Sequence, residues 1–129
     1  IKGLPTAGDA KRAVDVGASS VMISNHGGRQ LDTAPAPFDC IRDMRNAVGN
    51  DLELIADGGI RRGTHIIKAL AMGADGCSVG RAYLYGLAAG GQAGVEHALS
   101  LLRDELERSM ALLGCTSVGQ LNESHLKAL

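Results

Sequence analysis

At 129 residues with 45% apolar content, the chain holds enough material for one globular domain, which at this length buries roughly two thirds of its unfolded surface. Thirteen basic residues against fourteen acidic ones give a formal net charge of -1, and no segment gathers Lys or Arg as a phosphodiester backbone demands, so nucleic acid is not an expected partner. No apolar run approaches the roughly 20 residues that span a bilayer, and the three widely separated cysteines form neither a disulfide framework nor a CxxC metal site; a soluble, cytoplasmic protein is expected.

Ile1-Lys2-Gly3 reads as the end of a strand running into a loop, and with Ile rather than Met in first place the chain is expected to begin inside a larger protein. Thr6 and Asp9 stand at capping-box spacing ahead of a helix that reaches about Val16 and stops at Gly17. Ser20-Val21-Met22-Ile23 follows as a strand, with Ser24 to Gly28 as its exit loop. After Pro35 and Pro37, the apolar residues Phe38, Ile41, Met44 and Val48 recur at helical steps until Gly49. Leu52 to Ala56 is the next strand and Asp57-Gly58-Gly59 its exit. A third helix runs from Gly63 through Ile66, Ile67, Leu70 and Ala71 to Gly73, and a strand from Gly76 to Val79 leaves at Gly80-Arg81. Near the end Val95, Leu99, Leu102, Leu106, Met110 and Leu113 form one apolar stripe, which predicts a long packing helix closed by Gly114.

This grammar is repeated βα. Counting the strand that ends at Lys2, about four parallel strands alternate with helices, and four are half of a (β/α)8 barrel. Eighteen glycines and only three aromatic residues, Phe38, Tyr83 and Tyr85, suit an aliphatic core with many tight connections. A Rossmann sheet is the structural rival, but no GxGxxG opens a helix, and the strand-end loops carry unlike chemistries as barrel loops do.

In such a barrel all C-terminal strand ends face one mouth, so Lys2, Ser24, His26, Arg29, Asp57, Arg61, Gly80 and Arg81 are expected to converge. Within Ser24 to Arg29, a His suited to accept a proton near neutral pH stands three residues from an Arg able to grip a carboxylate through two parallel hydrogen bonds. Base and clamp together suit a small 2-hydroxy acid, although His-Gly-Gly-Arg is also a common way to build a turn. Asp57-Gly58-Gly59-Ile60-Arg61 and Gly80-Arg81 each join a strand to a helix; their open peptide N–H groups, helix dipoles and arginines read as a phosphate cradle, or else as tight turns with solvated charge. His65, His97 and His125 fall in two helices and the tail, where surface or packing roles are expected. Cys77, in an apolar strand, reads as an inert thiol.

These residues resemble the FMN-dependent 2-hydroxy-acid dehydrogenases and oxidases, a family that includes glycolate oxidase, L-lactate dehydrogenase and mandelate dehydrogenase. The segments Ile1 to Gly3, Ser24 to Asp32, Asp57 to Gly63 and Gly80 to Ala82 match the family's motifs in order and spacing, and the resemblance covers essentially all of residues 1–129 as the C-terminal half of its barrel. It implies that Lys2 lies near the flavin N1/C2 edge, that Ser24 contacts the flavin, and that Asp57, Gly58, Gly59, Ile60, Arg61, Gly80 and Arg81 hold its ribityl phosphate. It implies His26 as the base that takes the substrate hydroxyl proton while the α-hydrogen leaves for flavin N5, or, by a carbanion route, as the base that removes the α-hydrogen as a proton. Arg29 is implied as the carboxylate clamp. The upstream half of the barrel would supply tyrosines that touch substrate, an Asp that pairs with the base, and in some relatives a membrane-binding insert, so the isolated 129 residues are expected to be inactive and to self-associate. Other phosphate-binding barrels, resembling inosine-monophosphate dehydrogenase or isopentenyl-diphosphate isomerase, share the Gly-Gly-Ile-Arg loop but lack the His26/Arg29 pair. A non-catalytic half-barrel that binds phosphate is the remaining alternative.

Overall fold

The computed structural model describes residues 1–127, which contain three parallel strands, four α-helices and three short 3-10 turns. In chain order the strands and α-helices are α1 (Ala7–Asp15), β1 (Ser20–Ser24), α2 (Pro37–Val48), β2 (Glu53–Asp57), α3 (Gly63–Ala71), β3 (Gly76–Ser78) and α4 (Arg81–Leu112). The sheet order is β1-β2-β3, with neighbours in sequence also neighbours in space, which is the succession expected of part of a (β/α)8 barrel. The expected fourth strand at Lys2 is present only as a single parallel bridge to Met22, held by the Gly3 N–H donating to Met22 and the Met22 N–H to Ile1.

Local chemistry sets the boundaries. Thr6 caps α1 by accepting from the Asp9 N–H at 3.1 Å, and its hydroxyl donates to the Asp9 carboxylate at 2.6 Å; the short Asp does not reach the Thr6 N–H, so the capping box expected from the spacing is only half formed. Pro37 opens α2 at a position where its missing N–H costs no helical bond. The register is exact alternation: Val21, Ile23, Leu54 and Ala56 turn to the helix side and are buried, while Met22, Ser24, Ile55 and Asp57 face the other way. The main core joins those four residues to Ala10 and Ala13 of α1 and to Ile41, Met44 and Val48 of α2. Each of the fully buried Ile23, Ile41 and Leu54 contributes roughly 1.5 to 3 kcal/mol by burial. Met22 and Ile55 are only half-buried, because they lie on the concave face that a closed barrel fills with side chains from further strands.

At the N-terminal ends of the strands Arg45 acts as a staple. Its Nε donates to the Gly73 carbonyl at 2.8 Å, its guanidinium also bonds the carbonyls of Gly49 and Leu52, and it pairs with the Asp75 carboxylate, which accepts the Leu54 N–H at 2.8 Å. Gly73 has φ +105, and a Cβ there would stand 2.9 Å from Arg45 Cγ.

The C-terminal helix departs from expectation in two ways. It begins directly after Gly80 and is broken by non-helical Gly90 and Gly91, so segments 81–89 and 92–112 form a corner. The corner is tight enough that a Cβ on Gly94 would lie 1.9 Å from the Gly86 carbonyl oxygen, an approach only two glycines permit. The apolar stripe is also narrower than the spacing suggests: Leu102 and Met110 are buried, whereas Leu99 and Leu113 stay exposed. Met110 joins Ile67, Ala71, Cys115 and Leu121 in a second, smaller core beneath α3. Phe38, expected on the packing face of α2, is partly exposed at the rim of a cavity.

Candidate functional site

The inner face of the sheet carries a polar row across the C-terminal strand ends. Register places Ser24 of β1 beside Asp57 of β2, and Asp57 beside Ser78 of β3. Lys2 Nζ donates to Ser24 Oγ at 2.8 Å, Ser24 Oγ donates to Asp57 Oδ2 at 2.6 Å, and Lys2 Nζ lies 3.2 Å from the same carboxylate oxygen. Ser24 is the only buried polar side chain among the described residues, and it also accepts the His26 N–H at 3.1 Å. One hydroxyl thus ties the cation, the carboxylate and the next loop together. Partial burial works against the charge of Asp57, but hydrogen bonds from Ser24 and Lys2, the Lys2 charge and a hydrogen bond from Ser78 outweigh it and hold the carboxyl below its ordinary range.

Beyond Ser24 the chain turns sharply. Asn25 Oδ1 accepts the Gly27 N–H at 3.0 Å, and His26, Gly27 and Gly28 have φ of 54, 70 and 72. For His26 this left-handed conformation carries a strain that the Asn25 turn and the Ser24 bond offset. The turn leaves His26 and Arg29 both exposed on one side. Gly27 approaches Arg81 across the mouth: a Cβ on it would lie 3.6 Å from Nη2.

A cleft of about 460 Å³ is lined by Lys2, His26, Arg29, Asp57, Gly58, Gly59, Ile60, Arg61, Gly80 and Arg81, with Gly27, Gln30, Ala82 and Leu84 beside them. Every site residue expected from the sequence therefore borders one cavity except Ser24, which lies beneath it in the polar row. A second cavity of about 500 Å³ adjoins the first at Gly58, Gly59 and Arg81 and has a mostly aliphatic lining with Phe38, His65 and Lys68. Among the described residues no group of three His, Cys, Asp or Glu side chains is placed to hold a metal. Burial pushes the Cys77 thiol up to about 11, in keeping with an inert residue.

Three contributors escape sequence reasoning. Ser78 extends the polar row, and only its register opposite Asp57 reveals it. Gly3, with φ +92, packs on the His26 ring. His65 turns back from α3 to the Gly59–Arg61 loop rather than packing in the helix layer. His97 is exposed on α4, and His125 sets Nε2 3.4 Å from the buried Cys115 thiol, far in sequence from the cleft.

The model of the family described as FMN-dependent dehydrogenase matches residues 1–128. The chain belongs to this family. Among curated relatives, it is 50% identical over 126 residues to a peroxisomal (S)-2-hydroxy-acid oxidase of Oryza sativa subsp. japonica and 52% identical over 126 residues to an L-lactate oxidase of Nostoc sp.. Each alignment covers 98% of this chain and 34% of the relative, so the chain spans about a third of their length. Among solved structures, the monotopic membrane protein (S)-mandelate dehydrogenase superposes with a TM-score of 0.93 at 44% identity, covering 98% of this chain and 33% of that one. A mandelate oxidase with 3,3-difluoro-2-hydroxy-3-phenylpropionic acid gives 0.92 at 45% identity, over 95% and 37% of the two chains. The α/β fold of this chain is thus that of solved flavoenzyme structures at 44% and 45% identity. No helix among the described residues is long and apolar enough to cross a membrane.

Proposed function

We propose that this chain forms the C-terminal half of the barrel of an FMN-dependent enzyme that oxidises a small (S)-2-hydroxy acid of the lactate, glycolate or mandelate kind to the 2-oxo acid. The observation that carries this reading is one cleft bordered by a His/Arg pair from a single loop, a lysine, and two glycine-rich loops that each bring an arginine.

The donor set fits FMN. The Asp57 to Arg61 loop with Gly80 and Arg81 would hold its phosphate through peptide groups and the two arginines, and Lys2, with Ser24 beneath it, would put a cation beside the flavin. When bound, FMN supplies a two-electron acceptor that passes its electrons to an external oxidant. Arg29 pairs with the substrate carboxylate through two hydrogen bonds and fixes the hydroxyl beside His26. His26 takes the hydroxyl proton and holds it on the imidazole while the carbon is oxidised. Lys2, positioned by Ser24 and Asp57, stabilises negative charge developing near it.

One observation favours a second reading, a phosphate-binding half-barrel without catalysis: among the described residues no carboxylate bonds the His26 side chain. The partners we propose are accordingly the N-terminal half of the barrel, a 2-hydroxy acid and further copies of the protein. The proposed compartment is the cytoplasm, in keeping with three free cysteines among the described residues.

The experiment is dye reduction with lactate, glycolate and mandelate by the complete protein that carries this sequence, after loading with FMN. Turnover that depends on FMN supports the enzyme; FMN retention with background turnover supports the module.

A further inference from the structure

His65 is the third residue of α3, is half-buried, and sets Nδ1 3.1 Å from the Gly59 carbonyl oxygen and 3.3 Å from the Arg61 peptide nitrogen. In a capping box the third helical residue reaches back to the N-cap amide. Here the N-cap is Arg62, and the imidazole reaches past it into the Asp57 to Arg61 loop. Among the described residues no other side chain bonds the Gly59 carbonyl or the Arg61 N–H.

A ring nitrogen either carries a proton or presents a lone pair, so Nδ1 serves one of these groups at a time. As an acceptor it takes the Arg61 N–H and offers no donor to the Gly59 carbonyl. As a donor it bonds Gly59 and releases the Arg61 N–H. The loop therefore has two bonding states that differ by a proton on one atom. Gly58, Gly59 and Arg61 line the cleft, where an anion requires N–H donors.

We propose that His65 is a positioning residue for this loop, and that a phosphate group in the cleft selects the state in which Nδ1 donates to Gly59 and leaves the Arg61 N–H to the anion. The inference rests on the flavin reading above and deepens it, since His65 responds to the cofactor's phosphate and not to its ring. A ligand that binds one of two states better shifts the population toward it, and the phosphate is the differential contact.

The test uses the complete protein, stripped of flavin, as wild type, His65→Phe and His65→Gln, with FMN and riboflavin affinities read by fluorescence titration. Phe keeps the bulk of the ring without a nitrogen, and Gln keeps a donor for Gly59. Loss of one ordinary hydrogen bond corresponds to roughly fivefold weaker FMN binding in His65→Phe, with riboflavin changed less than about twofold and His65→Gln close to wild type. In FMN-bound wild type, nitrogen NMR of the His65 ring is expected to show a proton on Nδ1. Unaltered FMN affinity in His65→Phe, equal weakening for both flavins, a Gln variant as weak as Phe, or an unprotonated Nδ1 with FMN bound each overturns the proposal. Wild type that does not prefer FMN to riboflavin fails the phosphate reading itself, and the proposal with it; a preference that survives intact in His65→Phe fails the proposal alone.

Discussion

The His26 imidazole lies against the backbone of Gly3, so closely that a Cβ on Gly3 would stand 2.7 Å from Cε1 and 3.5 Å from Nε2. The strand end that delivers Lys2 therefore also shapes the ring beside it. Gly3→Ala adds this clash to a φ of +92 that disfavours any side chain. In the complete protein we expect kcat/KM for the 2-hydroxy acid to fall about tenfold or more as the ring is displaced, with FMN content retained. Wild-type kinetics in Gly3→Ala would show that the ring is not held there.

Removing the proposed base is more severe. His26→Ala is expected to lower turnover by about 10² to 10⁴ with flavin still bound. Arg29→Lys is expected to raise KM sharply, because an ammonium does not reproduce a bidentate grip on a carboxylate. Steady-state kinetics on lactate, glycolate and mandelate check both, and near-normal turnover in His26→Ala would remove it from the chemistry.

Arg81 borders the cleft beside Gly27 and Gly80. Arg81→Ala should weaken FMN retention more than it changes turnover of the fully loaded enzyme, since its proposed partner is the phosphate. Equal FMN affinity in mutant and wild type, measured by titration, would end that assignment.

Asp57 makes a prediction about pH. Its carboxyl is held below the ordinary value of 3.8, so the charged form is favoured by folding. The stabilisation is fully present above that value and is lost as pH falls through the lower, folded-state value. Asp57→Asn should therefore be less stable than wild type in urea at pH 7, with the gap closing in acid below about pH 4. A gap that widens in acid would contradict the Lys2-Ser24-Asp57 network as the cause.

Much of this layout is legible in the sequence because barrel geometry turns strand ends into neighbours. Gly58-Gly59, Gly80-Arg81 and His26/Arg29 declare themselves by residue type, and a parallel sheet with one connection per strand brings them to one mouth. The bridge at Lys2 is less legible: a strand exists only as far as its partners bond it, and Lys2 meets Met22 alone. The break at Gly90-Gly91 is signalled by the paired glycines, but the apolar stripe that predicts the helix begins only at Val95, so the helical segment before the break leaves no such pattern. His65 eludes the pattern altogether, because its role depends on a side chain turning back along the helix axis to two peptide groups.

The concave face supports a prediction for the 129 residues on their own. Met22 and Ile55 are half-covered, while Leu84, Tyr85 and Leu87 in the first part of α4 are exposed at 46%, 73% and 48%. Apolar surface of this kind together with two open sheet edges favours association. Sedimentation at micromolar protein is expected to show dimers or larger species, and hydroxy-acid oxidation near background. A stable monomer would refute the first expectation, and robust turnover the second.

The Arg45 staple sits at the end of the strands away from the cleft, joining α2, the start of β2 and the turn before β3. That separation gives a protein engineer two independent handles on one small sheet. Changes around Arg45, Gly73 and Asp75 adjust how much heat the scaffold withstands, and tags or surface attachments placed on that side leave the opposite rim open to solutes. Selection for durability and selection for altered binding at the cleft can then proceed on the same molecule without competing for the same residues.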